Sequence, residues 1–240
     1  MTTTLAPARD HPGGSAARVR RMAVALLVVL LAVDAVLIGG HVVHALGPDG
    51  RGWLATSRWS VERDRGVPEV WGYLQFSLVI AGLVFLGRLR RQPVYPAWAL
   101  AFAVVVLDDG MMVHERGGRV LVRLMGSPAE IAGFRAQDAG EMTVWALLGA
   151  GVAVVLLLAH RRSDAAARGR SAALVVPVGV FLFFGMVLDQ LHGLADERLH
   201  LPSWVNAVVG TVEDGGELVS GSVILAFVGA LVARTWPTRG

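Results

Sequence analysis

The chain contains no cysteine and no lysine, and only 17% of its 240 residues are charged. Without cysteine there is no disulfide, thiolate metal site, iron–sulfur cluster or cysteine nucleophile. Without lysine there is no Schiff base of the kind a retinal protein needs. A soluble domain carries about 25% charged residues, so the low charge, with 54% hydrophobic residues and a mean hydropathy of +0.56, excludes disorder and an ordinary soluble enzyme. The sequence pI near 10.4 comes from arginine alone. These arginines sit in short segments between apolar runs, where they set membrane topology, and nucleic acid is not an expected partner.

A transmembrane helix needs about 20 mostly apolar residues. Six runs qualify: 22–46, 70–89, 96–114, 141–160, 171–192 and 205–234. The chain therefore reads as an all-α, polytopic six-helix bundle, with residues 1–21 and 235–240 as tails and the first of these disordered. Arg18-Val19-Arg20-Arg21 precedes a first run too long for a cleaved signal peptide, so that run is a retained anchor. Arg18, Arg20 and Arg21, Arg88 to Arg91, Arg161 to Arg170, and Arg234 and Arg239 all fall on one side. By the positive-inside rule that side is cytoplasmic, which places both termini inside and the protein in the inner membrane. Between the third and fourth runs, Arg119 to Met125 reads as a short amphipathic piece that fits either the outer interface or an ordinary loop helix.

Ionisable residues are costly in hydrocarbon and mark functional sites. Asp34, His41 and His44 lie in the first run, and Asp108, Asp109, His114 and Glu115 end the third. Glu141 opens the fourth, Asp189, His192 and Asp196 end the fifth, and Glu213 and Glu217 open the sixth. With the topology above, all fall in the outer half of the bilayer. At about 100° per residue, Asp34 and His41 share a face, as do Asp108, Met112 and Glu115, and as do Asp189, His192 and Asp196. Such stripes build metal sites inside helical bundles. The expected ligands are His41, Asp108, Glu115, Asp189, His192 and Glu217, with Asp34, His44, His114, Glu141, Asp196 and Glu213 supporting or replacing them. Glu141 and Asp196 also fit a solvated, arginine-paired role. Met111 and Met112 read as packing, His160 as interfacial, and the seven tryptophans as interfacial anchors. Glu69, Glu141 and Glu213 are 72 residues apart, a spacing compatible with three hairpin repeats.

Two segments, Asp108-Asp-Gly-Met-Met-Val-His-Glu115 and Glu213-Asp-Gly-Gly-Glu-Leu218, carry a resemblance. They are similar to a functionally uncharacterised group of bacterial multi-pass membrane proteins. That group has an Asp-Glu-x4-His-Glu helix and a Glu-Glu-x2-Glu-Met helix. Asp109, Asp214 and Leu218 depart from its pattern. The resemblance covers two helices and implies that the two motifs work together, with no reaction attached.

Carboxylates and imidazoles without thiolates suit Fe, Mn or Zn, as one or two ions. The leading expectation is a membrane metalloenzyme, oxidative or hydrolytic, acting on a lipid-like or small apolar substrate. A metal or proton-coupled transporter and an assembly subunit with a structural metal are the alternatives. The topology is checked with cysteines introduced into this cysteine-free background. Those at Ser57 and Ser127 should react with an impermeant thiol reagent on intact cells, and one at Ser163 only after permeabilisation. The reverse pattern would invert the chain.

Overall fold

A computed structural model describes residues 12–46, Arg58 and residues 66–235. The described chain is helical: α1 (Pro12–Leu46), α2 (Val67–Arg90), α3 (Val94–Met111), α4 (Val113–Leu124), α5 (Ala136–Arg161), α6 (Ala165–Leu182), α7 (Asp189–Leu199) and α8 (Ser203–Ala233). A π-helical turn, Phe183–Leu188, joins α6 to α7, and a two-stranded hairpin, Glu130–Ile131 with Phe134–Arg135, precedes α5. Six helical stretches are long and apolar enough to cross a membrane: Ala16–His44, Val67–Arg90, Val94–Met111, Ala136–Arg161, Ala165–Leu199 and Ser203–Ala233. The protein is an all-α polytopic bundle.

Local signals explain the boundaries. Pro68 lies in the first turn of α2, where its missing N–H costs nothing. The helix stops at Arg91, whose left-handed backbone lets its N–H reach the Gly87 carbonyl. Asp164 caps α6 by accepting the Ala167 N–H at 2.7 Å. Pro177 interrupts the ladder within α6, and the π turn follows one turn and a half later. Two expectations change. Residues 12–21, read as part of a disordered tail, extend α1, because Ala16, Ala17 and the arginines propagate a helix readily. The third run breaks at Met112, which takes a left-handed backbone (φ 51°), so residues 113–124 form the separate helix α4.

Helix register is legible from contacts. Leu26 meets Gly229 and Ile38 meets Gly215, so α1 and α8 run antiparallel, while Gly82 meeting Val228 sets α2 parallel to α8. The core lies between α2, α3, α6 and α8. There Phe76 stacks on Phe102 at 5.5 Å and meets Phe181 edge-on at 4.9 Å, beside fully buried Val79, Leu83, Ile224 and Val228. Helix α5 stands apart: its buried residues are Ala136, Gly140 and Ala159, all near its two ends. Its first turns are held by α4, where Gly118 and Gly140 face each other so closely that a Cβ on Gly140 would lie 2.8 Å from the Gly118 carbonyl oxygen and one on Gly118 would lie 2.8 Å from the Glu141 nitrogen. Small residues allow this approach.

The tryptophans divide. Trp98 donates to Ser171 Oγ at 2.9 Å, and Trp71 and Trp145 donate to the Asp34 and Asp108 carboxylates, so these three are internal donors rather than interfacial anchors. Trp204 is 69% exposed, and Trp53, Trp59 and Trp236 lie outside the described residues. Ser163 is buried, with its Oγ accepting from the Val94 N–H, so exposed Arg162 is the better labelling position on that loop. The three evenly spaced glutamates do not occupy equivalent places: Glu69 is the third residue of α2, Glu141 the sixth of α5 and Glu213 the eleventh of α8.

Gly118→Val should push α4 off α5. An overpacked contact costs about 1–3 kcal/mol, and the readout is a lower melting midpoint with faster proteolysis between residues 112 and 136. Unchanged stability and protease resistance would contradict the packing described.

Candidate functional site

The polar residues gather at one end of the bundle, which holds the C-termini of α1 and α3, the N-termini of α2, α5 and α8, and α7. They form four hydrogen-bonded groups around and beside a cavity.

The deepest group joins α1, α2 and α8. Asp34 is fully buried; its Oδ1 accepts from Trp71 Nε1 at 2.8 Å and Gln75 Nε2 at 3.4 Å, and its Oδ2 accepts from Ser222 Oγ at 2.5 Å. Gln75 Nε2 also donates to Ser222 Oγ at 2.8 Å. Three donors on one carboxylate offset the cost of burying it. His41, two turns further along α1, is buried against α8, with its Nε2 3.1 Å from Thr211 Oγ1.

The second group turns on the break at Met112. Because α3 ends there, the chain folds back and His114 comes over Asp108. The His114 N–H donates to Asp108 Oδ1 at 2.9 Å, and its ring Nδ1 lies 3.0 Å from Oδ2. Trp145 Nε1 donates to the same oxygen at 2.9 Å, and its indole packs on the imidazole at 4.6 Å. The phase expected from an unbroken helix had put Glu115 beside Asp108 and His114 off the face. The break reverses this: Glu115 turns to Arg119 at 3.2 Å.

The third group lies on α2 and α3, where Tyr73 hydrogen-bonds both Glu69 and Asp109. The fourth joins α7 to α8. His192 Nδ1 lies 3.3 Å from Glu213 Oε2, and its Nε2 lies 3.1 Å from Asn206 Oδ1. Asn206 Nδ2 donates to Asp196 at 2.7 Å, while Asp189 hydrogen-bonds Glu213 and accepts from Gln190 at 3.2 Å. Glu217, one turn along α8, lies within electrostatic range of Asp214, Asp109, Glu213 and Asp189. Gly185 in the π turn lets it in: a Cβ there would lie 2.6 Å from Glu217 Oε1.

The six expected ligands are thus dispersed. His41 belongs with Thr211, Asp108 with His114, Glu115 with Arg119, and Asp189 and His192 with Glu213, while Glu217 faces the cavity. Glu141 accepts from Gln137 at 2.6 Å beside Gly118. His44 is half-buried near the end of α1. Among the described residues, no three His, Asp or Glu side chains are placed to hold a metal ion.

The cavity itself was not legible in the sequence. It encloses about 910 Å³ between α2, α3, α5, α6 and α8. Along α5 it runs from Trp145 to His160, about 22 Å at 1.5 Å per residue. Its walls are Val, Leu, Ala and Phe, with Glu69, Asp108, Asp109, Asp214 and Glu217 at one end and Ser171 and His160 toward the other. Gly72, Gly149 and Gly179 line it, and a Cβ on any of them would meet nothing within 4 Å. His160, read as interfacial, is therefore a cavity residue. The small residues were the available signal, but small residues are common in membrane helices whether or not they face a void.

These features define a polytopic helical membrane protein with an elongated intramembrane cavity, apolar along its length and acidic at one end. Residues 21–232 match the family described as a domain of unknown function (DUF8692), and the chain belongs to that family. No curated protein and no solved structure matches the chain significantly.

Ser222→Ala removes one donor from Asp34 and one acceptor from Gln75. It should cost about 1–3 kcal/mol, read as a lower unfolding midpoint in detergent, without change in what the cavity binds. A neutral Ser222→Ala would mean that this network does not tie α8 to α1 and α2.

Proposed function

We propose that this protein holds a lipid-like molecule inside the bilayer, with its apolar body between α3, α5 and α6 and its polar end among the carboxylates. One observation carries the reading: the elongated, apolar-walled cavity with polar groups concentrated at one end. Ligand sites typically enclose about 300–1,000 Å³, are mostly apolar, and converge a few polar groups on one part of the ligand. The cavity's 910 Å³ is in that range. Helix α5, whose fully buried residues all lie near its ends, leaves a side entrance from the hydrocarbon. In the orientation given by the arginine-rich segments, the acid end faces the outside of the cytoplasmic membrane.

Metal-dependent oxidation or hydrolysis has less support, because a catalytic ion needs about three protein ligands and the described residues form no such group. Transport gains one feature, the polar residues Ser171 and His160 toward the far end, but the walls between are apolar.

The test fills the space. Gly149→Phe and Gly179→Phe each place a ring where a Cβ meets nothing, so the fold should survive. Protein purified in mild detergent should carry a bound lipid-like mass by native mass spectrometry, and either variant should lose most of it at unchanged secondary structure. An equal bound mass in both variants would show that the cavity is not the site.

A further inference from the structure

The acid end also specifies a headgroup, an inference that rests on the lipid-like reading above. Among the described residues, every charged side chain lining the cavity is acidic except for the histidines, and no arginine lines it. Glu217 has four further carboxylates, Asp214, Asp109, Glu213 and Asp189, within electrostatic range. Carboxylates gathered in a poorly hydrated place either take up protons or gain a compensating positive charge, so a cationic ligand is favoured there.

A second, independent feature asks for a hydrogen-bond donor. Gln75 is 1% exposed and contributes to the cavity wall. Its Nε2 is committed to Ser222 and Asp34, while its Oε1 is buried without a hydrogen-bond partner. Gly221 makes room for that oxygen: a Cβ there would lie 2.5 Å from it. A buried acceptor left unmatched costs about 1–3 kcal/mol, so a ligand N–H gains by drawing this amide oxygen off Gly221 toward the cavity.

These features discriminate among headgroups. A carboxylate or phosphate is repelled. A hydroxyl donates but brings no charge. A divalent cation needs several oxygen ligands at close range, a group the described residues do not form. A quaternary ammonium is charged but has no N–H. A primary or secondary ammonium supplies both charge and donors. We propose that the cavity recognises a long-chain amine, with its ammonium head between Asp109, Glu217 and Gln75 and its alkyl chain along α5 toward Ser171.

The test uses the full-length protein in zwitterionic nanodiscs. Tryptophan fluorescence, with Trp98 and Trp145 in the cavity wall, reports binding of three sixteen-carbon probes: hexadecylamine, hexadecanol and hexadecanoate. The amine should bind at least about tenfold tighter than the alcohol, as expected for charge-assisted bonds, and the acid should bind weakest. Asp109→Asn with Glu217→Gln should bring the amine to the level of the alcohol and leave the alcohol unchanged. Wild-type protein that binds amine and alcohol equally overturns the headgroup assignment while sparing the lipid-like reading; this comparison needs no variant to fold. Amine preference that survives the double substitution also overturns it. Binding of no probe, or binding of all three unaffected by Gly149→Phe, overturns both readings. Displacement of hexadecylamine by Mn²⁺ or Zn²⁺ alone would assign the carboxylates to a metal and overturn the amine.

Discussion

Asp34 is the point on which the arrangement of the bundle depends. A carboxylate placed in hydrocarbon is tolerated only when it is hydrogen-bonded within the protein, and Trp71, Gln75 and Ser222 supply donors from α2 and α8. Apolar packing in a membrane is weakly directional, because lipid tails compete equally well for a leucine. Hydrogen bonds to one buried carboxylate are directional, and they set the depth of α1 against both neighbours. Leu26 on Gly229 and Ile38 on Gly215 follow from the same register, and Gly82 against Val228 completes it on α2.

With α1, α2 and α8 pinned, the remaining helices enclose space instead of filling it. Helices α3 and α6 complete the aromatic core around Phe76, but α5 is attached mainly through the Gly118–Gly140 approach to α4 and a contact at its far end. Val152 and Leu156 pack partly against that core, and Gly149 and Gly179 keep the rest of the gap open. The π turn at Phe183–Leu188 has a related effect. It brings Gly185 onto Glu217 and aims α7 so that Asp189 and His192 meet Glu213. Such turns occur often at functional positions.

The site residues illustrate which inferences survive the step from sequence to structure. Asp189, His192 and Asp196 share a helix face in sequence, and in α7 the first two meet Glu213 while Asp196 reaches Asn206. Their phase could be read because α7 is continuous across them. Asp108 and Glu115 could not be read that way, because the left-handed backbone at Met112 resets the phase between them. A non-glycine residue in that conformation is uncommon, and the Asp-Asp-Gly-Met-Met-Val run carries no proline or cap to announce it. The tryptophans misled for a different reason: their position near span ends fits an interfacial anchor and a buried donor equally well, and only a carboxylate or hydroxyl on a neighbouring helix separates the two.

The sequence by itself determined the membrane class, the six spans and the end of the bundle where the ionisable residues collect. Each of these depends on hydropathy and position along one chain. Which carboxylate meets which imidazole was decided by tertiary structure, since that depends on the register between helices far apart in sequence, such as α1 and α8. The cavity was decided there too. A void belongs to no residue, and arises because α5 is fully buried only near its ends while Gly149 and Gly179 leave space along its middle.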